Sequence, residues 1–176
     1  MKLLLHTCCA PCSIYCIDYL RDKQIEPTIY WYNPNIHPYT EYEKRKETLE
    51  EYTKKLGIAS IFEDEYGLKN FIKNVSKDLD NRCRYCYKTR IEKTVKYAIR
   101  NGYDSFSTTL LISPYQKHDI IKTICEELAK EYNIEFIYID FREGFKEGQE
   151  KARELGMYMQ KYCGCIFSEE ERYQKQ

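Results

Sequence analysis

The sequence predicts an α/β fold: a single domain on a mainly parallel sheet of about five strands, with helices on both faces. Three observations carry this. Strand and helix signals alternate along the whole chain, an order that implies βαβ units. The length, 176 residues, is that of one domain of ordinary size. Apolar residues make up 43% and charged residues 32%, which excludes disorder as a global description.

The elements follow in order. Residues 2–6 form a short apolar run, as expected of a buried parallel strand. Residues 13–23 read as a helix, with Pro11 suited to its first turn. Residues 27–32, PTIYWY, have strand composition, and NPNIHP at 33–38 then breaks the chain with turn residues. Residues 39–56 form a long helix of mixed charge, read as a solvated face and closed by Gly57. A third strand at 58–62, a helix at 68–75 and a second long helix at 83–100 come next, the last capped by Asn101 and Gly102. A fourth strand occupies 104–108. TLLISPYQKHD is a loop leading into a helix that runs to about Glu131. Residues 135–139 make a fifth strand and 144–155 a final helix, ended by Gly156. The CGC segment within 160–168 returns to the body and becomes a polar tail. With no repeat or linker, residues 1–176 are expected to be one domain.

Sheets of this kind bind ligands at the carboxyl ends of their strands, near the switch in strand order. The loops after His6, after the second strand at Asn33 and after Thr108 should therefore share one side of the sheet. Charge and hydropathy narrow the function classes. Lys plus Arg and Asp plus Glu each number 28, so the net charge is zero. That excludes a globally basic nucleic-acid coat but permits local basic patches. No apolar run approaches the ~20 residues of a membrane span. The apolar start is too short for a signal peptide, so the expected location is the cytoplasm.

Nine cysteines, an odd number, cannot all pair within the chain. Cys8, Cys9, Cys12 and Cys16 fall within nine residues; Cys83 and Cys86 form C-x-x-C; Cys163 and Cys165 form C-x-C; Cys125 stands alone in a helical pattern. Positions three apart share a helical face, so a C-x-x-C pair can reach one metal. Four thiolates from two separate places suit either a structural zinc site or an iron–sulfur cluster. Their place on the ligand side of the sheet favours the cluster. A vicinal Cys8–Cys9 disulfide and ordinary buried thiols are the competing readings, and Cys16 and Cys125 are read as core residues.

HTCCAPC at 6–12, NPNIHP at 33–38, RCRYCY at 82–87, TTLLISPYQ at 108–116, DFR at 140–142 and QKYCGCIFS at 160–168 together resemble the QueH-type epoxyqueuosine reductases. The blocks are in order and span nearly the whole chain, which looks like a complete member with no added domain. The resemblance implies reduction of epoxyqueuosine to queuosine at the wobble position of a tRNA with a GUN anticodon, the epoxide oxygen leaving as water. It implies a [4Fe–4S] cluster on Cys8, Cys9, Cys83 and Cys86, a redox-active disulfide between Cys163 and Cys165, an external electron donor that the sequence does not identify, and a PP-loop/HUP-like fold. An additional mononuclear iron belongs to the same expectation. Family members place a carboxylate near the first cysteine block; here Pro11 and Cys12 stand there, which leaves the role of Cys12 open. PP-loop enzymes carry glycines after the first strand to cradle pyrophosphate, and this chain carries thiols instead.

Opening an epoxide to an alkene needs two electrons and a proton donor for the departing oxygen. His6, His37 and Tyr115 are candidates by placement, with positional roles as the alternative for the two histidines. A C-x-C disulfide closes a small strained ring and is easily reduced, which suits a redox role. Residues 82–100 carry seven Lys or Arg against one Glu, a net of +6. Arg82, Arg84, Lys88 and Arg90 are expected to contact RNA phosphates, and Tyr85 and Tyr87 to stack on a splayed base. Asn33, Asn35, Ser113, Gln116 and Arg142 are expected to contact the base or ribose. Two other functions use the same residues: a zinc-stabilised RNA-binding module without catalysis, and a PP-loop-like tRNA sulfurtransferase, disfavoured by the missing glycine loop.

Overall fold

A computed structural model describes residues 1–174. Five strands form one wholly parallel sheet: β1 (Leu3–His6), β2 (Thr28–Trp31), β3 (Ser60–Phe62), β4 (Ser105–Thr108) and β5 (Glu135–Phe136), in the order β3-β2-β1-β4-β5. Helices α1 (Ala10–Asp22), α2 (Tyr39–Leu56), α3 (Leu68–Val75), α4 (Arg82–Arg100), α5 (His118–Tyr132), α6 (Phe145–Glu154) and α7 (Ile166–Tyr173) flank it. α1 packs against α6, and α4 against α5.

The registers place Leu4 beside Thr28 on one side and beside Phe106 on the other, so β1 is the central strand. Leu3, Leu4 and Leu5 are all buried, as a strand covered on both faces requires. Order reverses between β1 and β4. The crevice at that reversal lies beyond His6 and Thr108, and the cysteines follow His6 directly.

Most element bounds shift by two residues or fewer, as where β3 begins at Ser60 and not at 58, and three departures are larger. α1 begins at Ala10, three residues early, because Cys9 caps it: its Sγ accepts the Cys12 N–H at 3.4 Å. β5 holds only two residues. Ile137 still donates to Phe106 O, but its own carbonyl accepts the Ser107 hydroxyl at 2.8 Å, and the chain then leaves the sheet. The tail is not merely polar: Cys165 caps α7, its Sγ accepting the Ser168 N–H at 3.4 Å.

Candidate active site

The first half of the site is the turn from β1 into α1. Thr7 still pairs with Tyr30 O, and Cys8 is the first residue off the sheet. Its N–H donates to Thr109 Oγ1 at 3.1 Å, and the same hydroxyl lies 3.3 Å from Cys8 Sγ. With the Thr109 oxygen accepting from the amide, its proton is free to point at the sulfur. The sulfurs of Cys8, Cys9 and Cys12 all lie within 4.8 Å of one another. Hydrogen bonds from Cys12 and then Cys9 hold the Cys8 thiol well below the ordinary range. Burial pushes Cys9 up, and donation to Cys8 pushes Cys12 up. Within the trio the shift on Cys8 is toward the thiolate, the ligand form of cysteine. That donor chemistry fits a thiophilic metal or cluster.

The second half is carried by α4 and the C-terminal segment. Cys83, Cys86, Cys163 and Cys165 line one cleft of about 270 Å³, closed by Phe71 and Arg90. Burial pushes Cys86 up to about 12 and raises Cys163. All nine thiols are free, Cys163 and Cys165 included. Cys9 caps α1, Cys165 caps α7, and Cys83 sits in the first turn of α4.

A strap of backbone contacts holds Cys163 and Cys165. Arg45, 2% exposed, donates to Cys163 O at 2.8 Å and Tyr162 O at 2.9 Å. Its third contact is the Glu41 carboxylate at 2.8 Å, one turn back on α2, and Tyr158 donates to the other Glu41 oxygen. The His37 N–H donates to Gly164 O, and His37 Nδ1 accepts the Ile166 N–H. On the far side, Gln116 Nε2 donates to Cys163 Sγ at 3.1 Å while its oxygen accepts the Tyr87 hydroxyl at 2.6 Å.

An open aromatic cleft of about 340 Å³ adjoins the thiol cleft. The rings of Tyr32, Phe71 and Tyr85 line it, with Asn70 and Glu65 at its polar edge. The two clefts share Asn35, Phe71, Cys86 and Arg90. Asn35 is 4% exposed, and its Oδ1 is a buried acceptor without a partner in the described residues.

The remaining sequence candidates are spread unevenly. His6 is buried beneath the site. Its Nε2–H is shared between Tyr32 O and Asn33 Oδ1, and its Nδ1 accepts the Thr108 hydroxyl at 2.9 Å. Burial holds both His6 and His37 neutral, with pKa values lowered to about 4. Tyr115 is 87% exposed and packs on Phe145, and it lines neither cleft. Ser113 accepts the Tyr115 N–H, and Arg142 pairs with Asp140, both outside the clefts. Arg82 lines the thiol cleft and pairs with Glu171; Arg84 is exposed beside Glu127; Lys88 is exposed. Arg90, expected on a phosphate-facing surface, is only 3% exposed and points inward: α4 turns that position to the core one turn after Cys86. Cys16 and Cys125 lie in the core. Sequence reasoning missed Arg45, Phe71 and Thr109. Only Thr109, within the TTLLISPYQ block, carried any signal.

A parallel α/β sheet whose switch-point loop carries clustered thiols defines a class: a protein with sulfurs that could hold a metal at the place where such sheets bind their ligands. The comparisons name the family. The model of the family described as "Epoxyqueuosine reductase QueH" matches residues 3–171. A protein of that name from Dehalococcoides mccartyi is 41% identical over 174 residues, covering 99% of this chain and 96% of that protein. Another from Thermotoga maritima is 36% identical over 183 residues, covering 98% and 93%. A crystal structure described as a predicted subunit of tRNA methyltransferase from Methanocaldococcus jannaschii superposes with a TM-score of 0.57 at 17% identity, covering 86% of this chain and 75% of that one, and shows the shared fold. This chain belongs to the QueH epoxyqueuosine reductase family: it is an oxidoreductase of queuosine biosynthesis, a family that acts on tRNA. No helix among the described residues is long and apolar enough to cross a membrane.

Proposed function

We propose that this chain reduces epoxyqueuosine at the tRNA wobble position with an iron–sulfur cluster, taking two electrons and two protons and releasing water and the cyclopentene. Two observations support this: the Cys8, Cys9 and Cys12 sulfurs cluster where β1 turns into α1, and Cys83, Cys86, Cys163 and Cys165 line one cleft. Cys8, Cys9, Cys83 and Cys86 would hold a [4Fe–4S] cluster, and Cys12 is the further sulfur available to an additional iron. When bound, the metal centre supplies single electrons and a Lewis acid for the departing oxygen.

The protein's own residues then bind and orient. The aromatic cleft takes the splayed base between its rings, and the Asn35 oxygen accepts a hydrogen bond from the base edge. The shared wall leaves the epoxide facing the thiol cleft. His6 and His37 act as positioning groups, since burial keeps them neutral and their ring nitrogens order the site. Tyr87 brings the one hydroxyl among the residues lining the thiol cleft and is the proton donor this geometry favours over Tyr115. Cys163 and Cys165 cycle between dithiol and disulfide, passing electrons from a cytoplasmic donor. Arg82, Arg84 and Lys88, on the first turns of α4, meet the RNA backbone.

Anaerobic purification with measurement of iron, sulfide and zinc tests the proposal. About four iron and four sulfide per chain, with a visible shoulder that bleaches on reduction, are expected. One zinc without sulfide or colour after reconstitution refutes it.

A further inference from the structure

Arg90 is a buried guanidinium that no carboxylate among the described residues neutralises. Arg45, the other buried arginine, has Glu41. Among the described residues no acidic side chain lies within ion-pair distance of Arg90. Its Nη2 donates to Cys86 Sγ at 3.2 Å, its Nε to Cys86 O at 3.3 Å, and its Nη1 reaches Asn33 Oδ1 at 3.5 Å. Asn33 donates in turn to Thr7 O at 2.9 Å and shares the His6 Nε2–H. This chain of groups runs from the C-x-x-C helix to the residue before Cys8, and every member beyond Arg90 is neutral.

Burying a cation without an anion costs several kcal/mol. A fold that keeps one must supply the opposite charge, and among the described residues the ionisable acids in contact with Arg90 are the Cys86 thiol and the Tyr87 phenol, whose ring centroid lies 5.7 Å from the guanidinium carbon. Of these, the thiol is the one that ionises on binding a metal. The same guanidinium lines both clefts, so it stands where charge changes during turnover.

We infer that Arg90 is the fixed counter-cation of the thiolate-held metal centre: a positioning residue that ties α4 to the β1 turn and raises the reduction potential of the centre. The inference rests on the iron–sulfur reading above. Each one-electron reduction, with the electron delivered by the external donor, adds one negative charge beside Arg90. A buried positive charge stabilises the reduced state more than the oxidised one, because screening there is weak. Arg90 thus makes the centre easier for the donor to reduce.

The test is a spectroelectrochemical titration of anaerobically reconstituted parent, Arg90→Gln and Arg90→Lys proteins, with iron and sulfide measured on the same samples. The Gln variant is expected to have a more negative midpoint potential, and the Lys variant to lie close to the parent. A Gln variant with full iron and sulfide at the parent potential overturns the inference, as does a Lys variant shifted as far as Gln. If Arg90→Gln holds no cluster, Asn33→Asp decides. It sets a carboxylate against Nη1 and neutralises Arg90 in place, so its potential should also fall; an unshifted potential overturns the inference. A parent protein without iron and sulfide overturns the cluster reading and this inference together, whereas a loaded parent with unshifted variants overturns this inference alone.

Discussion

The strap that carries Cys163 and Cys165 hangs on one side chain, and Arg45→Met is the perturbation that exposes this. Methionine keeps the apolar length of arginine and removes its charge and every donor. Three contacts go at once: those to Cys163 O, Tyr162 O and Glu41. Glu41 is left buried with Tyr158 as its remaining partner. Removing one partner of a buried ion pair costs about 3–5 kcal/mol, and each stranded carbonyl adds about 1–3 kcal/mol. These costs do not add, because the strap can lift away and solvate its carbonyls. The ceiling is the free energy of local opening, so opening is where the loss should appear. A loss of about 3 kcal/mol raises the open population roughly 100-fold, each 1.4 kcal/mol being tenfold. The assay is the labelling rate of Cys165, a buried thiol, by a small alkylating reagent on the metal-free protein, resolved by peptide mass spectrometry. The expected result is a rate about 100-fold above the parent, partly restored in Arg45→Met/Glu41→Gln, where the glutamine still accepts from Tyr158 without a bare charge. A labelling rate in Arg45→Met within about threefold of the parent would refute the reasoning, because the strap would then be held by something other than Arg45.

Three further outcomes follow from the geometry. Gly67→Ala puts a Cβ 2.8 Å from the Pro34 carbonyl oxygen, which is backbone and cannot swing aside. About 1–3 kcal/mol of stability should be lost, read as a lower urea midpoint, together with weaker binding of an anticodon stem-loop, since both residues line the aromatic cleft. The His37 pKa falls from 6.5 to about 4 on burial, so the unfolded chain binds the extra proton first. Its stability contribution is complete above about pH 6.5 and is lost as pH falls towards 4, up to about 3 kcal/mol. Urea titrations of metal-free parent and His37→Gln should diverge across that window, and parallel curves would contradict this assignment. Tyr87→Phe removes the donor that fixes Gln116 beneath Cys163 as well as the proposed proton source. Turnover should drop at least tenfold with iron content unchanged, and parent-like turnover would remove Tyr87 from the mechanism.

The parts of this fold that were legible are those whose cause is local. α2 and α3 match the periodic pattern from first to last residue, and Gly57 closes α2 in the left-handed conformation that its place after the last turn implies. The three strand ends could be brought to one side of the sheet because alternation alone dictates a parallel sheet. The illegible parts depend on a partner far away in sequence. Cysteine is not an ordinary helix cap, so the starts of α1 and α7 were invisible until Cys9 and Cys165 were seen accepting backbone protons. Arg45 looked like one more charge on a solvated helix. Its burial depends on the C-terminal segment arriving 117 and 118 residues later.

Arg90 shows the same limit from the other direction. Charge counting over residues 82–100 assigned it to an RNA-facing surface, yet charge counting cannot see which way a helix turns. On α4, Arg90 lies one turn beyond Cys86, and a helix that aims Cys86 inward must aim the residue four positions later inward too. The placement of the thiol therefore dictates the placement of the cation. Electrostatics then completes the argument: a domain with acidic and basic residues equal in number still buries this arginine without a carboxylate. On the inference drawn above, the charge that balances it comes from the sulfurs beside it. On that view the basic stretch of α4 is two features in one segment. Arg84 and Lys88 remain exposed to meet a polyanion from outside, while Arg90 faces the thiolates from within.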